Sequence, residues 1–249
     1  MYRNRLHGEP VFFCFQQGTV NTKGGWAMWG ALALAAAVTV SPPFWPAWPP
    51  VADQAQMKVP IQCQMPELDN GCEVVSLSML LQHAGKPVSR LQLAQEVAKD
   101  PTPIQTDELG RITYWGDPNV GFVGDITGKQ KGYGVYHGPL TQLLNRHLPG
   151  KAQDLSGKNF DKVLESVSSG HPVVAWTTSF FDTTKQWVYW NSPTGQVAAT
   201  FHEHAVLVVG FNKKSVEIND PLDGKRKRVN REQFRRSWEM MGKQAVTYR

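Results

Sequence analysis

The sequence predicts a mixed α and β domain, helical in its first half and mainly antiparallel sheet in its second. Three observations carry that prediction. Val74, Val75, Leu77, Leu80 and Leu81 follow Gly71 at i, i+3 and i+4 spacings, which marks a helix with one broad apolar face. Residues 204–211, HAVLVVGF, are an almost unbroken apolar run, the pattern of a strand covered on both faces. Asn212-Lys213-Lys214 then turns the chain into residues 215–220, so the two segments pair as a hairpin.

The chain has 249 residues, 41% hydrophobic and 19% charged, enough for one sizeable core and without the composition of disorder. Residues 26–40, WAMWGALALAAAVTV, carry no charge and follow Lys23, Arg3 and Arg5. A basic lead and an apolar run of that length match an export signal, and fall short of the about 20 apolar residues of a spanning helix. We therefore expect residues 1–40 to direct export, whether cleaved or retained as a membrane anchor. Without them the net charge of +5 falls to about +3, because Arg3, Arg5 and Lys23 leave with Glu9. Residues 41–56, rich in Pro and Trp, read as an extended linker, because proline cannot join helix or sheet interiors.

The folded domain is expected over residues 57–249, opening on a short edge strand at 59–61. Asp69 or Asn70 is expected to cap the Cys72 helix, and Gly85 with Lys86-Pro87 to end it. Ser89 with Gln92 is a capping-box pattern that opens a second helix to about residue 98. Residues 101–138 lack sustained periodicity but interleave Trp, Phe and Tyr with Gly, Asp and Pro, which predicts an ordered loop lining a groove. Helices follow at 139–147 and 160–168, then a buried strand at 173–178. A hairpin comes next, with arms 187–190 and 196–201 about residues 191–195. The last helix is expected at 231–238.

Cys72 falls in the first helical turn, where free amides and the positive end of the helix dipole favour a thiolate. Gln64, eight residues upstream, can return an amide donor to the same point. A small apolar cysteine in a core helix would read the same way, so His204 and Asp220 decide the matter. A hairpin symmetric about residue 212 sets 204 opposite 220 on one face, close enough for the carboxylate to hold the imidazole's tautomer. Asn219 would then face away, and a slip of one residue would exchange the two. His202-Glu203-His204 is a rival zinc pattern, but no further spaced ligand pair completes it, so neither metal nor cofactor is expected. Cys63 and Cys72 can pair in an exporting compartment only as a reversible off-state. The basic run 225–228 is expected to be a solvated hairpin rather than a nucleic-acid site.

These stretches resemble the family-39 cysteine peptidases, best known for cleaving double-glycine leaders, and more closely that family's stand-alone, exported, mostly bacterial branch. The resemblance is carried by Gln64, Asn70-Gly71-Cys72-Glu73, residues 204–211 and Asn219-Asp220-Pro221, with Trp115-Gly116-Asp117-Pro118 and Gly132-Tyr133-Gly134-Val135. It implies a papain-like α+β fold, with the helix bearing Cys72 packed on an antiparallel sheet bearing His204 and Asp220. It also implies Cys72 as nucleophile, His204 as general base and acid, Asp220 as orienter, Gln64 as oxyanion donor, and a peptide or protein substrate. Glu73 stands where leader peptidases usually carry a small residue, and an anion there opposes thiolate formation. A catalytically silent peptide-binding module, or a cell-wall endopeptidase preferring a second His as orienter, are the alternatives.

Overall fold

The computed structural model describes residues 52–249; the export run and most of the Pro-rich stretch lie outside them. The elements in order are β1 (Ala55–Gln56), α1 (Cys72–His83), α2 (Arg90–Glu96), β2 (Lys99–Asp100), β3 (Gln105–Thr106), β4 (Ile112–Tyr114), β5 (Phe122–Gly124) and β6 (Gly132–Gly134). There follow α3 (His137–His147), β7 (Ala152–Asp154), α4 (Phe160–Ser168), β8 (Val173–Thr178), β9 (Val188–Ser192) and β10 (Gly195–Ala199). The chain closes with β11 (Glu203–Phe211), β12 (Ser215–Asp220), β13 (Lys225–Asn230), α5 (Arg231–Met240) and β14 (Ala245–Tyr248).

The main sheet runs β13-β12-β11-β8-β14-β7, every pairing antiparallel, and β1 adds to β11 where β8 has ended. Helix α1 lies on this sheet, with Ser76 Oγ donating to the Ala205 carbonyl at 3.2 Å. Its residues from Cys72 to Leu81 are buried on every side, not along one face. The extra cover comes from α2 and α3, which also pack against α1. At about 1.5–3 kcal/mol per buried Leu, Leu77, Leu80 and Leu81 alone hold the helix firmly in place.

Neither Asp69 nor Asn70 caps α1. Gly71 takes the cap position without a side-chain bond, and Asn70 Nδ2 turns instead to the Asp125 carbonyl at 2.7 Å. A Cβ at residue 71 would come within 2.7 Å of Leu68 Cβ, so a capping side chain has no room there. Ser89 does cap α2, accepting from the Gln92 amide at 3.1 Å, but that helix stops at Glu96 so that Lys99–Asp100 can pair with β5. No strand forms at 59–61. The edge strand lies earlier, at Ala55–Gln56, so the fold claims the last two linker residues.

The long stretch after α2 is ordered, as expected, but as two small sheets, β10-β9-β4-β3 and β2-β5-β6. Trp115, Tyr133 and Trp190 form the centre of a second core between them, with the Trp115 and Trp190 rings 5.6 Å apart. The Trp115–Pro118 motif is thus structural. Trp190 Nε1 donates to the Gly116 carbonyl at 2.8 Å, and the Asp117 amide donates to Asp100 at 2.9 Å.

The β11–β12 register differs from a turn symmetric about residue 212. Phe211 pairs with Val216 and Gly210 with Glu217, whereas Val208 pairs with Ile218 and Leu207 with Asn219. Val209 is the extra residue of a β-bulge. Without it, Asp220 would share a face with Ala205 and Leu207. With it, Asp220 falls on the face of Val206 and His204, one step diagonal from the imidazole. The expected register was therefore two residues out, which preserves the face; an error of one would have reversed it. β1 supports the bulge, because the Met57 amide donates to the Val209 carbonyl at 2.8 Å. Gly210 permits that approach: a Cβ there would lie 2.8 Å from the Ala55 carbonyl oxygen.

Candidate active site

His204 and Asp220 meet as a buried pair, Nε2 to Oδ1 at 2.7 Å. Burial pushes the Asp220 carboxyl up, but bonds from His204, Lys227 and the Leu222 amide outweigh it and hold the group down at about 2. An ionised carboxylate only accepts, so Nε2 is the donor of this bond, and in the neutral ring the lone pair is then on Nδ1. Asn219 points the other way. Its Nδ2 donates to the Val59 carbonyl and its Oδ1 accepts from Arg226, each at 3.1 Å, so its work is to tie β12 to its neighbours.

Cys72 is the first residue of α1, and its sulfur accepts the amide of Ala205, the neighbour of His204, at 3.3 Å. One backbone contact thus sets the nucleophile candidate beside the strand that carries the imidazole. Cys72 is nevertheless 6% exposed, and its sulfur also donates to Glu73 Oε2 at 3.5 Å. Burial first, then the charges of Glu73 and Glu203, push the thiol well above its ordinary range. The helix-start advantage expected from sequence is therefore overridden in this resting arrangement. Glu73 is itself buried and pushed up to about 7, although the Val135 amide donates to its Oε1 at 2.7 Å. The Gly132–Val135 motif is thereby a brace on the helix start.

Gln64 is buried and tied from two sides: its backbone N–H donates to the Pro221 carbonyl at 2.8 Å, and its side-chain Nε2 to the Asp69 carbonyl at 2.5 Å. Those bonds join the segment before α1 to the turn after Asp220. Among the described residues, Nε2 makes no second hydrogen bond and Oε1 has no partner. Among the described residues Cys63 and Cys72 form no disulfide, and Cys63 lies against the same turn, 3.8 Å from the Leu222 carbonyl.

The zinc pattern comes apart. His204 bonds to Asp220, while His202 Nδ1 pairs with Thr184 at 3.0 Å and its ring meets Phe180 edge-on. Among the described residues, the group with metal-ligand spacing is Cys72, Glu73 and Glu203, their ligand atoms within 4.8 Å of one another. In the sequence Glu203 stands out only as the residue between two candidate zinc histidines, and Lys227 only as part of a solvated basic hairpin. A groove of about 700 Å³ lies at the second core, lined by Trp187, Tyr189, Phe201, Lys131 and Arg111.

Comparison with known proteins decides the family. The model of the Peptidase_C39 like family matches residues 56–246, most of the chain. The chain belongs to that family. Among solved structures, a putative C39-like peptidase from Bacillus anthracis is similar to it: 41% identical, with a TM-score of 0.72 over 80% of this chain and 98% of that one. The uncharacterized protein YvpB of Bacillus subtilis (strain 168) is 39% identical over 185 residues, 74% of this chain and 71% of its own length. This C39-like chain therefore has the papain-like α+β fold of a cysteine peptidase, a hydrolase class, and its helix α1 is the cysteine-bearing helix on the sheet.

Proposed function

We propose that the protein is a thiol hydrolase acting on peptide or isopeptide bonds, with Cys72 as nucleophile, His204 as base and acid, and Asp220 as orienter. The observation that carries this reading is the 2.7 Å bond from His204 Nε2 to Asp220, which in the neutral ring leaves the lone pair on Nδ1 while the adjacent Ala205 amide holds Cys72 Sγ. In the proposed step Nδ1 takes the thiol proton and sulfur adds to the scissile carbonyl. The carbon–nitrogen bond then breaks, and His204 returns the proton to the leaving amine. Water hydrolyses the thioester by the same route. The second proton of Gln64 Nε2, with the first-turn amides of α1, would stabilise the oxyanion.

The high thiol range set by burial, Glu73 and Glu203 favours a second reading, a silent peptide-binding module. Labelling separates the two. An iodoacetamide-type probe should modify Cys72 faster than Cys63 at neutral pH, and His204→Ala should slow it. Equal rates for both thiols, unchanged by His204→Ala, would support the silent module. The apolar run 26–40 supports a placement outside the cytoplasmic membrane, by release or anchoring, with peptides there as the proposed substrate. A C-terminal reporter enzyme active only inside the cytoplasm would contradict that placement.

A further inference from the structure

The basic strand β13 carries four consecutive cations, and one of them turns toward the site. Lys227 Nζ lies 2.6 Å from Asp220 Oδ2 and 3.1 Å from Asp223 Oδ2, with the Phe181 ring 5.8 Å away. Asp220 is fully buried, and its two oxygens have separate duties. Oδ1 accepts from His204 and from the Leu222 amide at 2.9 Å, and Oδ2 accepts from Lys227.

We propose that Lys227 is a positioning residue for hydrolysis, fixing the rotation and charge of Asp220 and, through it, the ring of His204. This rests on the reading of Cys72, His204 and Asp220 given above. The terminal torsion of an aspartate is broad and nearly two-fold, so a carboxylate held by one oxygen swings. Lys227 holds the second oxygen from the neighbouring strand and removes that freedom. It also supplies charge. A buried carboxylate beside a neutral imidazole has no counter-ion, and the uncompensated charge is costly. Lys227 compensates it, so Asp220 stays ionised and keeps accepting from His204 Nε2.

The groups facing this pair are few. His204 comes from β11, Lys227 from β13, and Asp223 with the Leu222 amide from the turn. Glu73 and Glu203 lie on the thiol side. The depressed Asp220 value agrees with this arrangement, Lys227 following burial and His204 among its causes. Arg228, next on the same strand, pairs with Glu217 and is 67% exposed, so it serves as the control.

The test measures iodoacetamide alkylation of Cys72 in the full chain, with thermal melts on each variant. Lys227→Met should slow alkylation about tenfold, the worth of one charged hydrogen bond, and Lys227→Arg should restore it. Its acid-side loss should begin at a higher pH, because Asp220 then protonates sooner. In an Asp220→Asn background Lys227→Met should add nothing, which a merely structural lysine would not satisfy. Arg228→Met should leave the rate unchanged. If Lys227→Met fails to fold, Lys227→Gln, which keeps a donor without charge, takes its place with the same expectation. Wild-type rates in the folded Met or Gln variant, while Asp220→Asn and His204→Ala slow the thiol, would overturn the role of Lys227 alone. If His204→Ala and Asp220→Asn also leave the rate unchanged, the hydrolytic reading itself fails.

Discussion

Replacing Asp220 by Asn should reveal how much of the fold's stability resides in one buried carboxylate. In the native chain the group stays ionised down to about 2, against an ordinary value of 3.8. At 1.36 kcal/mol per pH unit, that depression stabilises the native state by about 2–3 kcal/mol at neutral pH. The folded value lies below the unfolded one, so the contribution is full well above pH 3.8 and fades as pH falls toward 2. About half should remain at pH 3. Urea midpoints of wild type and Asp220→Asn, compared at pH 6, 4 and 3, read this directly. The asparagine also disturbs Lys227 and the Leu222 amide, which adds a constant penalty, so the diagnostic part is the narrowing of the gap with acid. A gap that stays the same from pH 6 to pH 3 would refute the reasoning, because Asp220 would then not be held ionised by the fold.

Three further substitutions test neighbouring parts of the account. Glu73→Gln removes the anion 3.5 Å from Cys72 Sγ, so iodoacetamide should react faster with Cys72 at neutral pH; an unchanged or slower rate would show that burial alone sets the thiol. Asn219→Ala leaves the Val59 carbonyl and Arg226 without their partner and should cost about 1–3 kcal/mol in chemical denaturation, while Cys72 alkylation in the folded protein keeps its rate. Gly210→Ala drives a methyl against the Ala55 carbonyl, so it should raise hydrogen exchange at Met57, whose amide bonds to Val209, before it affects α1.

Much of this architecture was legible in the residues. The strands at 173–178 and 215–220 and the helix at 160–168 stand where apolar periodicity placed them, because each is bounded by turn residues that stop it sharply. The pairing of His204 with Asp220 was also legible, but for an incomplete reason. Nothing in HAVLVVGF announces a bulge at Val209; it arises from β1 docking on Gly210, a contact from more than 150 residues away. The cap of α1 misled for a related cause, since Asn70 has a better acceptor in the Asp125 carbonyl than the helix offers. Glu73 could be seen to oppose the thiolate, but not its depth of burial or its bond to Val135, because both depend on how residues 132–135 fold back. Lys227 looked like its basic neighbours; the β12–β13 register sets Lys225 opposite Asp220, and only the diagonal reach of the Lys227 side chain to Asp220 and Asp223 distinguishes it.

The most direct test of the central claim is to catch the acyl intermediate. A peptide that the wild-type protein cleaves is quenched in acid during turnover, where thioesters survive, and the digest is mapped by mass spectrometry. The account predicts an acyl mass on the fragment containing Cys72, absent from Cys72→Ala and much diminished in His204→Ala. Cleavage that persists in Cys72→Ala with no adduct on the wild-type thiol would contradict it.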